Sequence, residues 1–170
     1  MACDITIGRD RACKDGLGGN STLYLYNELA DAFTVLGGEA TAMNVLLTAA
    51  FAFPLEGDGN TLEQSMVSDR NTGTKVNTQT LTVMLKNMDA ATNAQFNLLA
   101  AGYPQAVVVD RNGNHHAIGL DDGIDFTIVA STGGVKTDMN GYTLTGVSTV
   151  SDIAPLLDVA TVTAFEAVVV

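Results

Sequence analysis

The chain contains no tryptophan, and only two cysteines and three prolines in 170 residues. Two cysteines, Cys3 and Cys13, cannot form the staples of a disulfide-built scaffold, and both are expected to be free thiols. Basic residues are also scarce. Eight Lys and Arg against nineteen Asp and Glu leave a formal net charge of −11, the wrong sign for a protein that grips phosphates through counterion release. Stable nucleic-acid binding is therefore not expected. An acidic surface would repel DNA over roughly a Debye length, about 8 Å at physiological salt. No uninterrupted apolar run approaches the ~18 residues of a membrane helix, and the N-terminus has no basic region followed by an apolar core. The expectation is a protein made in the cytosol, with no membrane partner.

What is present suits a globular chain. Hydrophobic residues make up 46% of it, enough apolar surface to offset chain entropy. A length of 170 residues is that of one domain, which buries roughly 70% of the surface its unfolded chain exposes. Residues 1–21 mix charges with Gly16, Gly18 and Gly19 without a sustained period, and are read as an N-terminal arm. TLYLYN, from Thr22, is strand chemistry with Leu23 and Leu25 on one face and Tyr24 and Tyr26 on the other. A second strand is expected over Phe33 to Leu36. The apolar run Ala42 to Phe53 fits either a strand or a short helix.

The most unusual unit follows the Gly-rich turn at Glu56 to Asn60. Thr61 to Asp69 and Thr74 to Lys86 are two β-compatible arms around a tip of Arg70, Asn71, Thr72 and Gly73. Val76, Thr78, Thr80, Thr82 and Met84 share one face of the second arm; Asn77, Gln79, Leu81, Val83 and Leu85 share the other. The distal half of this 61–86 hairpin shows no core-facing side. Residues 89–101 form the expected helix, capped by Asp89 and ended by Gly102 and Pro104. The Asn112-Gly113 pair marks a second hairpin, and strands are expected over Ile124 to Ser131 and after Asn140-Gly141. Pro155 should begin a turn or short helical piece, and the tail VATVTAFEAVVV is too apolar to lie in water. The expected fold class is mainly β, a β-sandwich or barrel with one flanking α-helix and a long extended hairpin.

Chemistry-bearing residues are sparse. His115 and His116 are adjacent on a strand and point to opposite faces, so a shared metal ion is not expected. Asp110, Asn112 and Asn114 echo the start of a calcium loop and Asp121 falls at its twelfth position, but His115 occupies the position where such a loop needs glycine and the flanks are strands rather than helices. Asp121, Asp122 and Asp125 flank Gly123 as a solvated turn would, and no base pairs with a Ser or Cys nucleophile. No enzyme, cofactor or metal is expected.

Four segments carry a resemblance to a known family: TIGRDRACKDGLGG near the start, SDRNTGT at the hairpin tip, DRNGNHHAIG, and DMNGYTLTG. Together with the single helix, they resemble the tail tube proteins of tailed bacteriophages, in particular contractile-tailed phages, along nearly the whole chain. The resemblance implies a virion tail component assembled in the host bacterial cytoplasm. It implies homo-hexameric rings that stack into a tube, with sheath, baseplate and tail terminator proteins as partners and transient passage of DNA without stable binding.

On that reading the hairpin closes the ring, and Met66, Asp69, Arg70, Asn71, Thr72, Gly73, Val76, Val83 and Leu85 are its assembly residues. Replacing Val83 and Leu85 by Asp is then expected to block assembly and leave a folded monomer. Glu56 and Asp58, or Arg9 and Arg11 in the arm, are expected to touch the adjacent ring. An inner tube protein of a contractile injection system would share this architecture. A ligand-binding β module would need an exposed aromatic platform, which 6% aromatic residues do little to supply.

Overall fold

A computed structural model describes residues 5–170. Eleven strands form two sheets: β1 (Asn20–Tyr26), β2 (Phe33–Leu36), β3 (Glu39–Met43), β4 (Phe51–Pro54), β5 (Thr61–Asp69), β6 (Thr74–Lys86), β7 (Gln105–Asp110), β8 (His115–Ile118), β9 (Asp125–Ser131), β10 (Gly141–Val150) and β11 (Leu156–Leu157). Two helices complete the fold, α1 (Ala90–Ala101) and α2 (Val159–Glu166). The larger sheet has the order β2-β3-β11-β8-β7-β1-β4, and the smaller β5-β6-β10-β9. The fold is mainly β, as expected from the sequence.

Alternation in β1 decides the layering. Leu23 and Leu25 enter one core, shared with Leu81, Val83, Leu144, Phe96 and Ile118 between the two sheets. Tyr26, on the opposite face, enters a second core with Phe33, Leu47, Val107 and Phe165. The seven-stranded sheet is thus the middle of three layers. Its β7 is apolar on consecutive residues because both faces are covered: Ala106 and Val108 join the first core, Val107 the second.

The apolar tail covers the outer face of that sheet. Asp158 caps α2 by accepting the Thr161 N–H at 2.7 Å, and Phe165 is fully buried against Tyr24, Tyr26 and Phe33. Burial of such a ring contributes roughly 1.5–3 kcal/mol. The turn or short helical piece expected from Pro155 is a helix that begins later, at Val159, where the cap and the buried face override the weak helix propensity of Val and Thr.

The run from Ala42 to Phe53 splits into the end of β3, a turn and β4. Asn44 causes the split, its Oδ1 accepting the Leu46 N–H while its carbonyl accepts that of Leu47. Gly123 requires glycine on two counts: its φ is +78°, and a Cβ there would lie 2.6 Å from the Tyr103 carbonyl oxygen.

One buried hydroxyl gives a stability prediction. Tyr26 is 2% exposed and its hydroxyl has no hydrogen-bond partner, and burial pushes its ionisation upward. Tyr26→Phe removes the orphaned group and keeps the ring packing, so stability should rise by about 1 kcal/mol. A thermal scan should show Tm higher by roughly 2–4 °C; an unchanged or lower Tm would mean that the hydroxyl is satisfied in solution.

Candidate assembly interface

The 61–86 hairpin forms with the expected boundaries. Its register runs from Thr61↔Thr82 to Asp69↔Thr74. The tip closes on Asp69, whose Oδ1 accepts the Asn71 N–H at 2.7 Å and whose carbonyl accepts the Gly73 N–H at 2.9 Å. Gly73 has φ +68°, the left-handed conformation the reversal needs. On the other side of β6, β10 pairs only with Asn77 to Lys86. Residues 67–76 therefore project beyond the sheet, with Val67, Val76 and the adjoining Met66 exposed.

Among the described residues neither edge of this sheet is paired with a further strand. The nine-residue β5 ends it on one side and β9 on the other, with α1 packed beside β9. Unpaired backbone donors and acceptors along such edges are templates for another chain. All three internal pairings are antiparallel, so β5 and β9 run in opposite directions.

Two expectations about the hairpin need correction. Val83 is fully buried in the core between the sheets and Leu85 packs against that core, so Val83 offers no surface to a neighbour. The distal half also has an inward face after all. Asn77 is fully buried and Gln79 is 3% exposed. Gln64 Oε1 accepts from Asn77 Nδ2 at 3.1 Å and from the Ala154 N–H at 2.8 Å, while Gln79 Oε1 accepts the Gly119 N–H at 3.0 Å. Amide side chains replaced apolar ones at these inward positions, which hid the face from a hydrophobicity reading. Lys75 adds an exposed ion pair with Asp152.

The remaining face of the small sheet is dominated by hydroxyls. Register places Thr78, Thr80 and Thr82 of β6 opposite Thr149, Val147 and Thr145 of β10, with Thr61, Glu63 and Ser65 of β5 alongside. Thr127 and Asp125 of β9 extend the same face.

The loop residues expected at an adjacent ring find partners within the chain. Lys86 Nζ lies 3.5 Å from Glu56 Oε2, and Arg111 Nη1 lies 3.4 Å from Asp58 Oδ1, although both carboxylates stay exposed. Arg9 and Arg11 lie exposed in residues 5–18, outside any helix or strand. Cys13 is exposed; Cys3 lies outside the described residues.

The remaining titratable clusters hold turns. His115 and His116 diverge, His116 Nε2 lying 3.4 Å from Asp110 Oδ2 and His115 Nε2 3.8 Å from Glu166. Among the described residues no three His, Cys, Asp or Glu side chains group as metal ligands would. Asp121 Oδ2 accepts the Ser151 N–H at 3.0 Å. Asp110 Oδ1 accepts from the backbone of Asn112 and Asn114, and its Oδ2 accepts from Asn114 Nδ2.

Partial burial pushes the Asp110 carboxyl up, but these hydrogen bonds outweigh it and hold the group below the ordinary 3.8. Asp89 is held low by the Thr92 hydroxyl and N–H, and Asp138 by the N–H groups of Val135 and Gly134. A depressed folded pKa contributes stability above the unfolded value and loses it as pH falls through the folded one. Urea midpoints should therefore hold steady from pH 7 to 5 and fall below about pH 4. Asp110→Asn should shrink that acid-induced fall, and an identical pH profile would remove Asp110 from the account.

Compared with models of protein families, with curated proteins and with solved structures, the chain finds no match in any of the three.

Proposed function

We propose that the chain is the repeating subunit of a tube, built by lateral pairing of its four-stranded sheet into closed rings, and that the tube is a phage tail tube delivering DNA. The observation that carries this reading is the pair of opposed edge strands, β5 and β9, that no other strand of the described residues pairs. A ring of copies related by rotation sets β9 of one copy beside β5 of the next. Because the two strands run in opposite directions, that junction is antiparallel like every pairing within the subunit. Closure removes both edges at once, which an isolated chain does not do.

Curvature has a natural sense in this arrangement. One face of the sheet is filled by Leu81, Val83 and Leu144 of the core, so the hydroxyl face is the one left to line a lumen. Threonine hydroxyls offer a DNA phosphate no charge to bind, and Glu63 and Asp125 repel it. The tube is then a passive conduit in which no residue turns over a substrate. Sixfold symmetry and a phage origin rest on the resemblance of the four sequence segments to tail tube proteins.

Negative-stain microscopy of the purified chain at rising concentration tests the reading. Rings or hollow tubes of sixfold symmetry are expected. A species that stays monomeric under all conditions, including incubation with tails lacking this chain, would contradict it.

A further inference from the structure

Residues 5–16 run outside any helix or strand, and Ile5 and Ile7 are 95% and 83% exposed. The segment is fixed at its root, where the backbone N–H and carbonyl of Leu17 both hydrogen-bond the Asn112 side chain at 2.8 Å. Asn112 sits in the β7–β8 turn, at the end of the large sheet where Asn20 faces Asp110. Ile5-Thr6-Ile7 alternates as a strand does, and Arg9, Arg11 and Lys14 follow with only Asp10 and Asp15 against them. The arm is apolar first and cationic after, in a chain of net charge −11.

A cleft of about 680 Å³ opens toward the other end of the fold, past Ile118, where Leu120 and Asp121 follow β8. Val35, Met66 and Ile153 stand at its mouth, 46%, 42% and 57% exposed. Asp31, Asp121 and Asp152 line it as carboxylates, Asp152 already paired with Lys75, and its lining includes no Lys or Arg. Arm and cleft are thus complementary in both apolar and charged character, and they face opposite ends of one molecule.

We propose that the N-terminal arm of one copy, Ile5 to Lys14, docks in this cleft of a second copy, with the isoleucines on its apolar mouth and Arg9 and Arg11 against its carboxylates. Within the assembly reading on which it builds, this contact joins one ring to the next, because arm root and cleft lie at opposite ends. Copies of net charge −11 repel one another, and a cationic arm meeting an acidic cleft offsets that repulsion locally. The acidic loop at Glu56 and Asp58 lies at the arm's own end, beside Arg111, and is not the receiving surface.

The test uses the full chain carrying Ile5→Asp and Ile7→Asp, whose own arm is disabled at positions that contribute nothing to the core. A fluorescent peptide with the sequence of residues 5–14 should bind this chain, and Val35→Asp with Ile153→Asp in the cleft should weaken binding at least tenfold, about 1.4 kcal/mol. In microscopy the arm variant should give single rings that do not stack. No peptide binding, binding indifferent to the cleft substitutions, or stacked tubes from the arm variant would each overturn the proposal. Peptide binding that depends on the cleft, in a chain that forms no rings, would support the docking while counting against lateral closure. Exposed Cys13 separates docking between copies from an arm folding back on its own chain: paired with Val35→Cys in a chain carrying Cys3→Ser, it should give disulfide-linked dimers, and intrachain disulfides alone would overturn the proposal.

Discussion

Replacing residues 67–76 by Asn-Gly, so that Met66 turns directly into Asn77, should leave a folded monomer that no longer polymerises. Met66 and Asn77 face one another across the hairpin, and a two-residue Asn-Gly loop closes such a pair with the twist the strands require. The deleted segment lies beyond β10 and includes exposed Val67 and Val76, so little of the monomer's core is lost. The Lys75–Asp152 pair goes with it, an exposed contact contributing at most about 1 kcal/mol. The neighbour, by contrast, loses the projecting tip and the last three residues of the β5 edge, Val67 to Asp69. The critical concentration should rise at least a hundredfold, roughly 2.8 kcal/mol per contact. Sedimentation velocity across a concentration series reads this directly, with circular dichroism to show the retained fold; polymers forming at the parent's concentration would contradict the hairpin's role.

Val83→Asp should abolish folding rather than assembly. Val83 is fully buried among Leu81, Leu144 and their neighbours, where a carboxylate has no partner and must either remain charged out of water or take up a proton. Either way the cost is at least about 4 kcal/mol, a large part of a domain's whole stability. The adjacent Thr82→Asp sends its carboxylate to the hydroxyl face and should cost within about 1 kcal/mol. Urea unfolding at pH 7 distinguishes them: a cooperative transition for Thr82→Asp, and none, or a strongly shifted one, for Val83→Asp. Equal midpoints would contradict the assignment of the two faces.

These two residues also show how far the sequence could be read. Period-two alternation correctly sorted the β6 side chains into two faces, because strand geometry fixes alternation whatever the surroundings. Which face was inward could not be read from β6 alone, since threonines filled one face and the inward one began with Asn77 and Gln79. Burial of those amides depends on Gln64, Gly119 and Ala154, which are distant in sequence.

The hairpin limits, α1 with its Asp89 cap and the Asn112-Gly113 turn were legible because each depends on neighbours a few residues away. The helix α2 was legible only as a turn or short helical piece after Pro155 and an apolar tail that must pack, because Phe165 fixes it through contacts with Tyr24, Tyr26 and Phe33. The same distinction governs the candidate interface. Its projecting length was visible in the sequence, whereas the opposed open edges of β5 and β9 depend on β10 lying between β6 and β9.

The most direct test of the account is a reconstruction of the polymer by cryo-electron microscopy at a resolution that separates strands. The account predicts a continuous antiparallel barrel in which β9 of each copy pairs with β5 of the next and the threonine face lines the lumen. A polymer joined through β2, β4 or α2, with β5 and β9 left open, would contradict it.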